Sequence, residues 1–212
     1  MSQPSDVSPP RGGHRRPKLT QSGIRHDDLY ASAPPWDIGR PQPAFQALAD
    51  AGLINGRVLD AGCGTGEHAL LAARLGLNAM GVDLAGNALR TAERKAHDRG
   101  LIARFVRHDA RRLADLGVVF DTVLDCGLFH LFADADRAAY VDALRSVLPR
   151  GGRYFMLGFS EREPGEWPHK LSRDEIAAAF VDGWRVDSVE PTTIETRTGQ
   201  GVHAWRASLT RS

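Results

Sequence analysis

The chain has 212 residues, 42% of them hydrophobic and 25% charged, with a formal net charge of +1. That length can bury a core without staples, and the near-neutral charge excludes the broad basic field that non-specific nucleic-acid binding needs. Two cysteines without metal-type spacing exclude a disulfide framework, and no apolar run approaches membrane-spanning length. The expectation is a soluble cytoplasmic protein with neither a nucleic acid nor a membrane as partner.

Residues 1–26 are rich in Pro, Ser, Gly and Arg and lack apolar periodicity, which predicts a disordered basic tail. Its cluster of Arg11, Arg15, Arg16 and Lys18 reads as solvated. Order is expected to begin near Asp27, with residues 27–212 forming one domain. Residues 34–43 hold too many prolines for a helix or a central strand. Trp36, beside Asp37 and Gly39, suits either a lid over a small-molecule site or a plug for the open end of the core. A short helix is expected over 44–51, with Phe45, Leu48 and Ala49 on one face.

The stretch Val58-Leu59-Asp60-Ala61-Gly62-Cys63-Gly64-Thr65-Gly66 begins as a strand and becomes a glycine-rich turn. Helix pattern follows from Glu67, so backbone amides at its start can face a ligand. The spacing Gly-x-Gly-x-Gly differs from the dinucleotide fingerprint. Asp60, two positions before Gly62, would repel a pyrophosphate and attract a cation.

From there strand and helix patterns alternate, which implies a parallel sheet covered on both faces. A second strand over 78–83 ends in Asp83, about twenty residues past the first glycine, where an acid can accept both hydroxyls of a ribose. Its competing role is to cap the helix expected from Ala85 to Gly100. A third strand, 103–107, exits through His108-Asp109-Ala110, where a carboxylate and a free amide could pair with an adenine. The fourth strand and its exit, 120–130, should lie beside the first at the topological switch point, bringing Asp125 to His130 near the glycines. Cys63 and Cys126 then read as small buried fillers.

A helix over 134–148, a Pro-x-Gly-Gly turn at Pro149 and a strand over 154–159 follow. Residues 161–170 form a loop able to carry substrate contacts through Trp167 and His169. Ser172 and Glu175 form a capping box for the next helix. Strands over 184–189 and 202–210, joined by a turn around Gly199-Gln200-Gly201, complete an antiparallel edge.

These motifs together resemble the class I S-adenosylmethionine-dependent methyltransferases. Pro34-Pro35-Trp36-Asp37-Ile38-Gly39-Arg40-Pro41-Gln42-Pro43 is similar to the N-terminal signature of the thiopurine, thiol/halide and heterocyclic-toxin branch. Asp125-Cys126-Gly127-Leu128-Phe129-His130 resembles that branch's strand exit, and the Pro-Pro-Tyr run of nucleobase and glutamine methylation is absent. The resemblance implies an α/β, doubly wound, mostly parallel seven-stranded sheet with an antiparallel C-terminal hairpin. It also implies S-adenosyl-L-methionine as cofactor and residues 27–55 as a cap over it. The cofactor would be held by Trp36, Gly39, Asp60, Gly62, Gly64 and Gly66, with Asp83 and Leu84 at the ribose. Asp109 and Ala110 would meet the adenine, and Asp125 and Cys126 would complete the cofactor-binding set. Phe129, His130, Trp167 and His169 would face the acceptor.

Methyl transfer from a sulfonium is an in-line displacement that needs positioning and exclusion of water more than chemistry from the protein. No metal site is expected. A phenol or amine acceptor would need a base, for which His130 stands best and Tyr30 and His169 are outside candidates; a thiol, halide or acidic N-hydroxy group would need less help. The expected function is methylation at O, N or S of a small hydrophobic aromatic or heteroaromatic molecule by a monomer or homodimer. Thiol or halide methylation, or sensing of the cofactor without transfer, are the alternatives.

Overall fold

The computed structural model describes residues 26–165 and 169–212. The tail expected over 1–26, apart from His26, and the loop residue Trp167 lie outside the described residues.

Seven strands form one sheet in the order β3-β2-β1-β4-β5-β7-β6. They are β1 (Arg57–Ala61), β2 (Asn78–Asp83), β3 (Ala103–Arg107), β4 (Thr122–Cys126), β5 (Arg153–Phe159), β6 (Trp184–Glu195) and β7 (Gly201–Arg211). The first five run parallel, and β7 pairs antiparallel with both β5 and β6. Order reverses between β2 and β4 on either side of β1, so the switch point falls where the sequence placed it.

Burial explains why the central strands read as continuous apolar runs. From Val58 to Ala61, and again from Thr122 to Asp125, every residue is buried, as a sheet covered on both faces requires. Helices α1 (Pro43–Asp50) and α2 (Glu67–Arg74) cover one face through Phe45, Leu48 and Leu71. Helices α4 (Asp134–Val147) and α5 (Arg173–Ala179) cover the other through Tyr140, Leu144 and Ile176. Helix α3 (Gly86–Asp98) packs on β2 and β3 and buries Ala88, Leu89, Ala92 and Ala96.

Some boundaries move for physical reasons. Helix α3 starts at Gly86 because Asp83 captures the Ala85 amide at 2.8 Å and holds Ala85 extended. Strand β6 runs six residues beyond the expected end, since its pairing with β7 carries on through Pro191 to Glu195. The residues after β3 form a 3-10 segment, Ala110–Leu116, that Asp109 caps by accepting from the Arg111 amide at 2.9 Å. Ser172 and Glu175 make the expected reciprocal capping box at the start of α5.

Candidate active site

The glycine turn between β1 and α2 sits against the exit of β4. A Cβ on Gly62 would stand 3.0 Å from the Leu128 side chain, and one on Gly66 would stand 2.7 Å from Ala92. Both glycines have positive φ, +68° and +84°, so this turn tolerates no side chain there on either count. Asp83 draws the turn toward β2: its Oδ2 accepts from the Gly64 amide at 2.8 Å. Burial raises the Asp83 carboxyl above its ordinary range, against the pull of the Ala85 and Gly64 amides.

Asp60 is 1% exposed. Its Oδ2 accepts from the Ala69 amide at 3.0 Å, while its Oδ1 has no hydrogen-bond partner. Burial pushes its pKa up to about 8, and the charges of Asp83, Asp125 and Glu67 push the same way. His68 offers no compensating charge. Its Nε2 accepts from the Gln42 amide at 3.2 Å, its Nδ1 lies 4.0 Å from Asp60 Oδ1, and burial lowers it to about 4. A buried carboxyl with an open oxygen, ringed by other acids, is suited to a cation.

Tyr30 and Asp37 of the N-terminal segment pack against this turn. A 3-10 segment, His26–Tyr30, is tied to α3 by Asp27, which accepts from the Asn87 amide at 2.9 Å. Tyr30 reaches back so far that a Cβ on Gly64 would lie 2.5 Å from its hydroxyl. Burial, and then the Asp83 charge, drive the Tyr30 phenol above its usual value. Trp36 is 43% exposed, which removes it from the core-plug role. Gly39 takes positive φ, and its amide donates to Asp37 Oδ1 at 3.3 Å.

On the β3 side, Asp109 is not free. Arg111 donates to it from Nε and Nη2, the latter at 2.7 Å, and hydrogen bonding from this guanidinium holds the carboxyl below its ordinary range. Ala110 is buried and Leu84 half-buried.

At the β4 exit three of the expected site residues are enclosed by the core. The Asp125 side chain, fully buried, accepts from the Leu128 and Phe129 amides and from the hydroxyls of Tyr140 at 2.9 Å and Tyr154 at 2.8 Å. It is a core fastener, and its donors hold its pKa to about 6 against burial. Phe129 is likewise core, packed on Phe180 and beneath Arg137 rather than facing an acceptor. His130 stacks on Phe159 with ring centroids 4.5 Å apart, and its Nδ1 accepts from the Phe159 amide at 3.4 Å. Burial lowers His130 to about 3, with His169 and Arg137 adding in the same sense. A histidine so poised is neutral at physiological pH and a poor proton acceptor. His169 itself takes a left-handed backbone, φ 60°, and is half-buried. Both cysteines are free, Cys63 buried and Cys126 half-buried.

Comparison with known proteins places this geometry. Residues 58–152 match the family described as methyltransferase domain. A 2-heptyl-1-hydroxyquinolin-4(1H)-one methyltransferase of Mycobacteroides abscessus is 33% identical over 179 residues, 79% of this chain and 75% of the relative. The chain belongs to the S-adenosylmethionine-dependent methyltransferases. A probable thiol methyltransferase of Arabidopsis thaliana is 26% identical, covering 93% of this methyltransferase and 90% of the plant protein. A solved structure from work on converting a disulfide bond into a thioacetal group during echinomycin biosynthesis is 40% identical. It superposes with a TM-score of 0.78 over 84% of this chain and 85% of its own.

The cofactor of this methyltransferase is S-adenosyl-L-methionine, and the residues present suit it. The unpartnered oxygen of the buried Asp60 carboxyl, beside the glycine turn, suits a cation. Among the described residues no helix is long and apolar enough to cross a membrane, and no cluster of His, Cys, Asp or Glu could hold a metal. Sequence reasoning missed the contacts that Arg111, His68, Lys95, Arg99, Tyr140 and Tyr154 make around these residues. Only Lys95 and Arg99 left a signal, a basic pair at helical spacing.

Proposed function

We propose that this methyltransferase acts on a small hydrophobic aromatic or heteroaromatic molecule whose reacting O, N or S atom loses its proton without help from a protein base. The observation that carries this reading is His130: neutral, stacked on Phe159, with Nδ1 already accepting from a backbone amide. Tyr30, the outside candidate, holds its own proton too tightly to remove another. Acidic N-hydroxy heterocycles and thiols meet that condition; ordinary phenols and amines do not. The named activities of the relatives, a hydroxyquinolone and thiols, agree with it.

S-adenosyl-L-methionine supplies a methyl group already joined to its leaving group. The chain's part is to hold, orient and dry the site. Asp60 faces the positive charge, Asp83 and Leu84 take the ribose, and Asp109 with Ala110 takes the adenine once Arg111 shares its carboxylate. Trp36, Gly39 and Tyr30 close over the top, and His130 and Phe159 form one wall of the acceptor space, with His169 in the neighbouring loop. Collinear placement of acceptor and methyl is the main source of rate.

The test is release of S-adenosylhomocysteine with three acceptors, an N-hydroxyquinolone, a thiophenol and a plain phenol, from pH 6 to pH 9. Rates with the first two should follow each acceptor's own ionisation, with little turnover of the phenol. Efficient phenol methylation with a rising limb belonging to the enzyme would overturn the reading.

A further inference from the structure

Three segments distant in sequence meet in one charged cluster beside the glycine turn. Thr65, between Gly64 and Gly66, donates its hydroxyl to Asp37 of the cap at 2.9 Å. Lys95 of α3 reaches the same hydroxyl at 2.7 Å, Asp37 Oδ1 at 3.7 Å and Glu67 Oε1 at 2.8 Å. Arg99, one helical turn on, grips both oxygens of Glu67 at 2.8 and 3.0 Å. The Lys95, Asp37 and Glu67 side chains are 20%, 16% and 7% exposed, so their interactions are only partly screened by water. Burial alone would raise the Glu67 carboxyl; hydrogen bonds from Arg99 and Lys95 overturn that and hold it ionised.

The stretch on either side of Asp37, from Pro35 to Gln42, is tied elsewhere. Pro35 accepts from the Arg197 amide at 2.8 Å, and the Gln42 side chain bridges both backbone groups of Glu195. Those bonds fix the ends of the segment to the loop beyond β6 and to the end of β6 itself. Asp37, between them, holds its middle to the turn. The ionic partner of Asp37 comes from α3 alone among the described residues.

We propose that Lys95 is a positioning residue, a latch that pins Asp37 of the cap onto Thr65 of the glycine turn and thereby sets how slowly the cofactor leaves. This rests on the reading that residues 27–55 close over the cofactor. Lys95 touches neither reactant in this account; it acts through Thr65 and Asp37. Fixing the middle of the cap lowers the population of open states from which a bound molecule escapes.

The experiment is stopped-flow release of S-adenosylhomocysteine from the full chain. Lys95→Met, which keeps the stem and removes the charge, should speed release about tenfold or more, and Lys95→Arg should restore most of it. Under turnover the Met variant should raise KM for the cofactor while kcat holds or rises, since product leaves faster. Asp37→Asn attacks the same ion pair from the cap. The double variant should release no faster than the worse single variant, because all three proteins lack the same ion pair. Unchanged release in both folded single variants, or strictly additive effects, overturns the latch. Wild-type protein that fails to bind S-adenosylhomocysteine at all instead overturns the cofactor reading beneath it.

Discussion

The exits of β1 and β4 carry the same residue type in neighbouring, equally buried places and use it oppositely. Asp60 and Asp125 are each the last but one residue of adjacent parallel strands, Asp60 opposite Leu124 and Asp125 opposite Ala61. Asp125 has four donors around it, two backbone amides and two tyrosine hydroxyls, and its pKa rises only to about 6. Asp60 has one backbone donor and an open oxygen, and rises to about 8. What separates a fastener from a receptor for charge is the number of donors, not the depth of burial. A saturated carboxylate holds the core together; an under-saturated one is left for something that arrives.

Removing the fastener should do the greater harm. Asp125→Ala orphans two tyrosine hydroxyls and two amides in the core, each at a cost of about 1–3 kcal/mol. Chemical denaturation should therefore show a loss of several kcal/mol, or no folded protein. If stability is unchanged, the four bonds are not holding the switch point together.

Asp60→Asn keeps the shape and removes the charge. S-adenosylmethionine affinity measured by calorimetry should fall roughly ten- to hundredfold, the worth of one charge-assisted interaction. Stability gives a second reading of the same residue through pH. A carboxyl raised in the folded state binds more protons there than in the unfolded chain, so stability falls as pH rises toward its folded pKa. For Asp125 that fall ends near pH 6 and for Asp60 near pH 8. His68 and His130, lowered to about 4 and about 3, act oppositely: stability rises with pH up to their ordinary value of about 6.5 and is then flat. Above that only the Asp60 effect remains among these four. Cofactor-free protein should then lose stability between pH 6.5 and 8, at a limiting slope of about 1.4 kcal/mol per pH unit. Asp60→Asn should flatten this window, and a slope that survives the substitution assigns it to another group.

Asp83 lies between the two cases, holding two backbone amides while keeping lone pairs free. Asp83→Ala should weaken S-adenosylhomocysteine binding about tenfold, with a smaller loss of thermal stability from the freed Ala85 and Gly64 amides. Unchanged affinity in a folded variant would move Asp83 into the fastener class with Asp125.

The smallest effect is expected at His130. His130→Asn should leave turnover of a thiol or N-hydroxy acceptor within about threefold, with no loss of a limb near pH 6.5. A collapse of kcat in the folded variant would restore this histidine as the base.

The sequence by itself determined the order of strands and helices, the glycine turn and the switch point between β2 and β4 on either side of β1. These rest on local chemistry: continuous apolar runs for strands buried on both faces, glycines where a Cβ would collide, Ser172 and Glu175 where amides needed a cap. It also marked Asp60 and Asp83 as candidates for the site, because an acid at a strand end faces the crevice. Only the tertiary structure decided what each acid does there. Asp125 became a fastener because Tyr140 from α4 and Tyr154 from β5 converge on it, and Asp109 acquired Arg111 and, through it, Asp136. His130 lost its basicity because Phe159 and the surrounding core exclude water from its ring. Lys95 gained its contact with Thr65 because α3 brings it to a turn thirty residues earlier. Donor count, desolvation and ion pairing are properties of neighbours far apart in the chain, and no local pattern encodes them.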